Sequence, residues 1–237
     1  MGKDFRTPEK ENAPLEGHAS SGSSIYATAQ PEDSREGGAE KAKNSSGLIL
    51  EMKNYGLETK KGVSILKGVS LSIPKGKMVA MIGLSGDGKS TLLEGMAGHC
   101  NPSHKTYGEI HVEALDGTFG RRDLMEWFSR VNYAEQASIN YEAIPLYVIL
   151  CSIAACCGKT SQDVDGYLDL FRMSRSKKTL CKNLSGGEQK RAMVIAGLLN
   201  CKEFNIWDEP LSGLDSELAR VVLATMANLK TTHLLTV

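Results

Sequence analysis

The sequence lacks an excess of charge: 28 Lys and Arg balance 28 Asp and Glu over 237 residues. Nucleic-acid binding draws much of its affinity from neutralised phosphates, so a chain with no basic surplus is not expected to have a nucleic-acid partner. Aromatic residues are scarce at 6%, so the core must be built mainly from aliphatic side chains. No run reaches the roughly 18 to 20 apolar residues needed to span a bilayer. The nearest, Ile144 to Cys157, has 14 residues without a charge and suits a buried or interfacial helix. The amino terminus (MGKDFR) has no apolar signal-peptide core, and Arg6 stands where a myristoylation motif wants Ser or Thr. The six cysteines form no CxxC pair and no disulfide framework, which favours a reducing, cytosolic setting. His99, Cys100 and His104 are close in sequence, but they lie among turn residues with no second ligand pair nearby, which argues against a metal site.

What is present divides into two parts. Residues 1–47 carry seven Ser, six Gly and three Pro, with only Met1, Phe5, Leu15, Ile25 and Tyr26 as larger apolar side chains. Such a segment cannot bury enough surface to offset the entropy of ordering it, so a disordered, slightly acidic tail is expected. From Leu48 the pattern is that of a globular domain running to residue 237. Apolar–polar alternation predicts strands at Leu48 to Asn54 and Ser64 to Ile73, and the apolar run Lys77 to Gly83 predicts a buried strand. Further strands are expected at Glu109 to Val112, Arg130 to Tyr133, Phe204 to Trp207 and His233 to Val237. Helices are expected at Lys89 to Gly98, Ala143 to Cys157, Ser161 to Arg172, Glu188 to Leu199 and Ser216 to Leu229. Strands alternating with helices predict an α/β fold with a mainly parallel sheet.

Three motifs carry chemistry. The first, Gly83-Leu-Ser85-Gly86-Asp-Gly88-Lys89-Ser90-Thr91, matches G-x-x-x-x-G-K-[ST] between an expected strand and an expected helix. Its glycines let the backbone approach phosphate oxygens, and the following helix offers unpaired amides and its positive dipole end. Lys89 would reach the outer phosphates and Ser90 would place its hydroxyl on Mg²⁺. Asp87 adds a carboxylate to this loop, tolerable if its side chain points outward. The second motif is Phe204-Asn-Ile-Trp-Asp208-Glu209-Pro210, about 120 residues downstream. A strand of this kind delivers two carboxylates to the ligand edge of a parallel sheet. Asp208 is the natural Mg²⁺ partner of Ser90, and Glu209 can orient or deprotonate an attacking water. Asn205, polar within this apolar strand, has no evident functional reading. The third motif, Leu184-Ser185-Gly186-Gly187-Glu188-Gln189-Lys190-Arg191, opens an expected helix and forms a second anion-binding nest. One nucleotide seldom needs two such helix ends.

The chain resembles ATP-binding-cassette (ABC) ATPases, in which LSGGEQ is the signature motif; the resemblance covers Leu48 to Val237 with the motifs in family order. It implies a P-loop NTPase (RecA-like) core with a mainly parallel sheet, an N-terminal antiparallel β subdomain and an inserted α-helical subdomain that includes Ile144 to Cys157. It implies ATP and Mg²⁺ as cofactors. By position, Gln136 resembles the Q-loop glutamine that contacts Mg²⁺ and the attacking water, and Asp215 in Ser212-Gly-Leu-Asp215 resembles the D-loop aspartate that communicates with the opposite site. Tyr55 lies near the place of the aromatic that stacks on adenine. The family's switch histidine would fall just beyond Val237; His233 stands four residues too early to take that role. The closing strands of the domain are also missing, and the chain reads as C-terminally truncated.

The resemblance further implies a head-to-tail partnership with a second ABC domain, in which Ser185, Gly186, Gly187 and Glu188 complete the partner's ATP site. The function it implies is ATP binding and hydrolysis that powers an ABC transporter. A single cassette after a short tail is similar to the white-type G subfamily, whose transmembrane domain would follow residue 237 and hold the cassette at the cytoplasmic face of a membrane. The isolated chain is expected to hydrolyse ATP weakly. A soluble ABC ATPase acting in translation or DNA repair is the alternative, and a different P-loop enzyme such as a kinase is disfavoured by the joint spacing.

Overall fold

Alternating apolar side chains and tight turns shape the first half of the domain into strands. The computed structural model describes residues 26–29, 46–135 and 143–237. Strands β2 (Leu48–Glu58), β3 (Ser64–Pro74), β5 (Lys105–Glu113) and β6 (Phe119–Arg121) form an antiparallel sheet in the order β3-β2-β5-β6. Strands β1 (Tyr26–Ala29), β4 (Met78–Ile82), β7 (Val131–Ala134), β8 (Phe204–Trp207) and β9 (Thr232–Thr236) form a second sheet in the order β1-β4-β9-β8-β7. Strands β4, β9, β8 and β7 pair in parallel, whereas β1 runs antiparallel along β4, Tyr26 opposite Ile82 and Ala29 opposite Val79. Those four residues lie inside the stretch expected to be unstructured. The expectation does not hold for them, because the backbone edge of β4 supplies ladder partners that composition does not register.

Helices α1 (Lys89–Ala97), α2 (Leu124–Arg130), α3 (Leu146–Cys156), α4 (Ser161–Leu170), α5 (Gly186–Leu199) and α6 (Ser216–Asn228) connect the strands. Helix α2 and strand β6 were not expected. The signal for α2 was present in Asp123, whose carboxylate caps the helix by accepting from the amides of Met125 and Glu126. Strand alternation divides the parallel sheet's two faces. Phe204, Ile206 and Leu234 point to one face and pack with Leu92, Leu93 and Met96 of α1 and with the antiparallel sheet. Trp207 and Leu235 point to the other and pack with α3 to α6. Helices α1 and α5 therefore lie on opposite faces of one sheet.

Buried polar groups are stitched together on the α5 side. Asn132, Asn205 and His233 occupy one level across β7, β8 and β9, in register. Asn205 Nδ2 donates to the carbonyls of Lys202 and Thr232 and to Thr231 Oγ1, and its Oδ1 accepts the Lys202 amide. Asn132 Nδ2 donates to Gly197 O of α5. Trp207 Nε1 donates to His233 Nδ1, and burial pushes the His233 imidazole down to about 4, so it is neutral at physiological pH. The polar residue in an apolar strand is thus a structural tie.

An ion-pair cluster joins the two sheets at the end away from the loops after β4 and β8. Arg130, at the end of α2, donates to Glu113 O and to both Glu203 (Nε to Oε2, 2.8 Å) and Glu126. Lys75 pairs with Glu113 and with Glu203. The Arg130 side chain is only 7% exposed. Removing one partner from a buried cluster leaves its charges poorly compensated. Arg130→Met is expected to destabilise the domain by about 3 kcal/mol, measured as a lowered midpoint of urea unfolding.

Candidate nucleotide-binding site

The site begins where β4 runs out of side chains. Between Ile82 and Lys89 the chain turns through Gly86 (φ 88°) and Gly88 (φ 86°), conformations that glycine adopts without a Cβ penalty. Gly88 is the N-cap of α1 and supplies no side-chain cap. The first amides of that helix are therefore left to an anion, reinforced by the helix dipole. Lys89 is largely buried, with Nζ donating to Gly83 O at 2.7 Å and Leu84 O at 2.9 Å, so its ammonium lies across the loop. Ser85 and Ser90 are exposed. Asp87 is not turned outward: its Oδ2 accepts the Leu84 amide at 2.8 Å, folding the carboxylate back onto the loop.

The second wall lies two strands away, about 10 Å across the sheet. Strand β8 is buried throughout and is followed directly by Asp208, itself 7% exposed. Thr236 of β9 donates from Oγ1 to Asp208 Oδ1 at 2.9 Å and accepts the Glu209 amide at 2.7 Å. Glu209 has φ 48°, the left-handed region that a side chain rarely adopts. Burial, then the charges of Glu135 and Asp208, raise the Glu94 carboxyl above its usual range, which marks this edge as electronegative. Among the described residues no group of three or more His, Cys, Asp or Glu could hold a metal alone. Ser90 and Asp208 are nonetheless hard oxygen donors of the kind Mg²⁺ takes together with phosphate oxygens and water, so the donor set fits that ion.

The third element is the start of α5. Ser185 is its N-cap and forms a capping box with Glu188: Ser185 N and Oγ both donate to Glu188 Oε2, at 2.9 and 2.7 Å. Ser176, buried in a single 3-10 turn (Ser174–Ser176), donates to the other oxygen at 2.6 Å. These bonds, with that from Ser176 first, hold the Glu188 carboxyl down at about 2. A Cβ added at Gly186 would meet nothing within 4 Å, and at Gly187 only the Arg191 guanidinium at 3.9 Å. Packing within the described chain requires neither glycine, though each weakens a helix by about 0.5–1 kcal/mol relative to alanine.

A family model described as ABC transporter matches residues 66–212, spanning all three elements. The chain belongs to that family. The chain is 30% identical over 202 residues to ABC transporter G family member 12 of Dictyostelium discoideum, covering 80% of this chain and 31% of that protein. It is 29% identical over 170 residues to the Fe(3+) ions import ATP-binding protein FbpC of Photobacterium profundum, covering 70% and 47%. It thus spans about half or less of the lengths of these relatives. Among solved structures, an ATP-binding subunit of an ABC transporter superposes with a TM-score of 0.64 at 24% identity, over 79% of this chain and 78% of that one. The domain is therefore an ABC ATPase domain homologous to the ATP-binding subunits of transporters. No helix of the described residues is long and apolar enough to cross a membrane.

The positions that the family resemblance singled out lie on the following elements. Gly83, Gly86, Gly88, Lys89, Ser90 and Thr91 form the loop and first turn after β4, while Asp208 and Glu209 come after β8 on the same edge of the sheet. Ser185 to Glu188 open α5 across the sheet. Asp215 is the N-cap of α6, its Oδ1 accepting the Leu218 amide at 2.8 Å. Gln136 lies outside the described residues. Tyr55 needs correction as the adenine-stacking aromatic. It is only 4% exposed, its ring lies against Gly95 of α1, and its hydroxyl is 3.3 Å from Cys100 Sγ, so neither ring face is open to a base. Beside Gly88 lie instead Ile65 and Leu66 of β3. Thr236 was missed, since a threonine at a strand end has no local signature.

The electrostatics of the loop and of α5 lead to two expected outcomes. Asp87→Ser removes a negative charge from the phosphate loop and is expected to tighten ATP binding several-fold, about 1 kcal/mol, with a smaller gain for ADP; fluorescence titration with a nucleotide analogue measures both. Glu188 titrates at about 2 in place of its ordinary 4.5, so its contribution is complete above the ordinary value and is lost as pH falls towards 2. Ser176→Ala removes the largest cause. The Glu188 titration should then move up in pH, as read from its side-chain carboxyl resonance by NMR.

Proposed function

We propose that residues 48–237 form an ATPase domain that binds Mg²⁺–ATP on Gly83 to Thr91 and hydrolyses it when α5 of a second ABC domain closes over the phosphates. The observation that carries this reading is the placement of the two anion-binding helix ends on opposite faces of one sheet. A nucleotide on α1 cannot use both. The pair of glycines at the start of α5, not required by packing in its own chain, provides the close approach that a phosphate on another domain would need.

Each residue then has a physical task. The α1 amides and Lys89 neutralise the phosphates, with Lys89 exchanging its bonds to Gly83 and Leu84 carbonyls for phosphate oxygens. Ser90 and Asp208 would hold Mg²⁺, and Gln136 would join them. The ion, when bound, neutralises charge that develops on the phosphate oxygens. Glu209 orients and deprotonates water in line with the γ-phosphate, and Ser185 with the α5 amides supplies donors from across the interface. Closure on ATP and opening after hydrolysis would drive transmembrane segments supplied outside this domain, holding it at the cytoplasmic face of a membrane. The relatives' names include a G-family member and an importer.

The decisive variant pair separates binding from turnover. Lys89→Ala should weaken Mg²⁺–ATP binding at least about 100-fold, the loss of a charge-assisted contact worth about 3 kcal/mol. Glu209→Gln should retain binding, lower turnover by about two orders of magnitude or more, and accumulate an ATP-dependent dimer in sedimentation. A Glu209→Gln protein that stays monomeric at saturating ATP would sink the paired-domain reading.

A further inference from the structure

Asp208 and Glu209 come from one strand end, yet the group that fixes both comes from another. We infer that Thr236 is a positioning residue for the metal–nucleotide site, setting the orientation of the Asp208 carboxylate and the backbone conformation of Glu209 together. The inference rests on the proposed role of Asp208 towards Mg²⁺ and goes beyond it in assigning a residue that no motif of the sequence marks.

The geometry is closed around one hydroxyl. Thr236 is 1% exposed, in the last position of β9. Parallel pairing puts Trp207 beside Leu235, so the next residues along, Asp208 and Thr236, come side by side at the C-terminal edge of the sheet. The hydroxyl proton goes to Asp208 Oδ1 at 2.9 Å, and a lone pair receives the Glu209 amide at 2.7 Å. The first bond assigns Oδ1 to the protein and leaves Oδ2 as the oxygen for a cation. The second bond holds Glu209 in its left-handed backbone (φ 48°), a conformation that costs a side-chain-bearing residue about 1 kcal/mol or more unless its surroundings hold it. Thr236 thus joins a metal ligand and a general base through one rigid, β-branched side chain whose rotamer is restricted. Valine has nearly the same shape and makes neither bond.

The test uses the full chain and reads binding as well as turnover. A fluorescent ATP analogue is titrated in excess Mg²⁺ and again in EDTA; the ratio of the two affinities is the gain due to the metal. In Thr236→Val that gain should fall about ten-fold while the EDTA affinity, which depends on the α1 amides and Lys89, stays within about two-fold. Thr236→Ser, which keeps the hydroxyl, should restore the gain. If Thr236→Val does not fold, Thr236→Ala with Thr236→Ser as its control carries the same expectation. A wild-type gain that survives the valine substitution overturns the positioning role and leaves the metal reading standing. An equal loss in Mg²⁺ and in EDTA overturns it as well, because that pattern reports general damage. A wild-type protein with no gain from Mg²⁺ overturns the metal reading and the Thr236 role with it.

Discussion

Parallel pairing of β4, β9 and β8 is the constraint on which the rest of the site depends. It sends the three strands out of the sheet in one direction, so their C-terminal ends and the loops attached to them gather at one edge. The phosphate loop continues from β4, the two carboxylates continue from β8, and the threonine that holds them ends β9. The separation between loop and carboxylates is set by strand spacing, which side chains cannot alter by much. The buried ladder of Asn132, Asn205 and His233 reinforces this register from the α5 side, because a slip of one residue would leave its amide groups buried without partners.

A sheet of this kind has two faces, and the division of labour between them comes from strand alternation. Phe204 and Ile206 commit one face to α1 and the antiparallel sheet; Trp207 commits the other to the helical layer. Neither core is complete without β8. The carboxylates are therefore placed by the strand that anchors both layers, and Arg130, Lys75, Glu113 and Glu203 fix the antiparallel sheet to its opposite end. Placing acids just past the end of a fully buried strand suits chemistry that relies on positioning.

Much of this was legible in the sequence because the motifs are local. The loop after β4, the carboxylate pair after β8 and the Ser-Gly-Gly nest that opens α5 each occupy a few consecutive residues. Most of the helices and strands around them were likewise read from periodicity, though α2 and β6 were not, and β5 begins at Lys105 and not at Glu109. What could not be read depends on contacts between distant segments. Tyr55 lies near the family position of an adenine-stacking aromatic; it is buried because α1 presents a glycine, Gly95, on which its ring can lie. Asn205 looked like an oddity until β7 and β9 supplied its partners. Backbone pairing of Tyr26–Ala29 with β4 involves no compositional signal at all, since a ladder uses groups common to every residue.

Several polar groups of this site already have partners within the chain, and on the proposed function that shapes how a ligand would act on it. Lys89 bonds two carbonyls, the Leu84 amide bonds Asp87, and the single hydroxyl proton of Ser185 is given to Glu188. A phosphate entering either nest would exchange these bonds, each contributing only the difference between old and new partners, whereas the uncapped first amides of α1 would be gained outright. Exchange is favourable where the outgoing partner is a neutral carbonyl, as for Lys89, and harder where it is a carboxylate, as for Ser185. Ser176 eases the second case, because its bond to the other oxygen of Glu188 remains when Ser185 turns away. On the proposed function the loop would therefore take phosphate readily by itself, while the helix end across the sheet would release its donor only to a strongly charged group brought close.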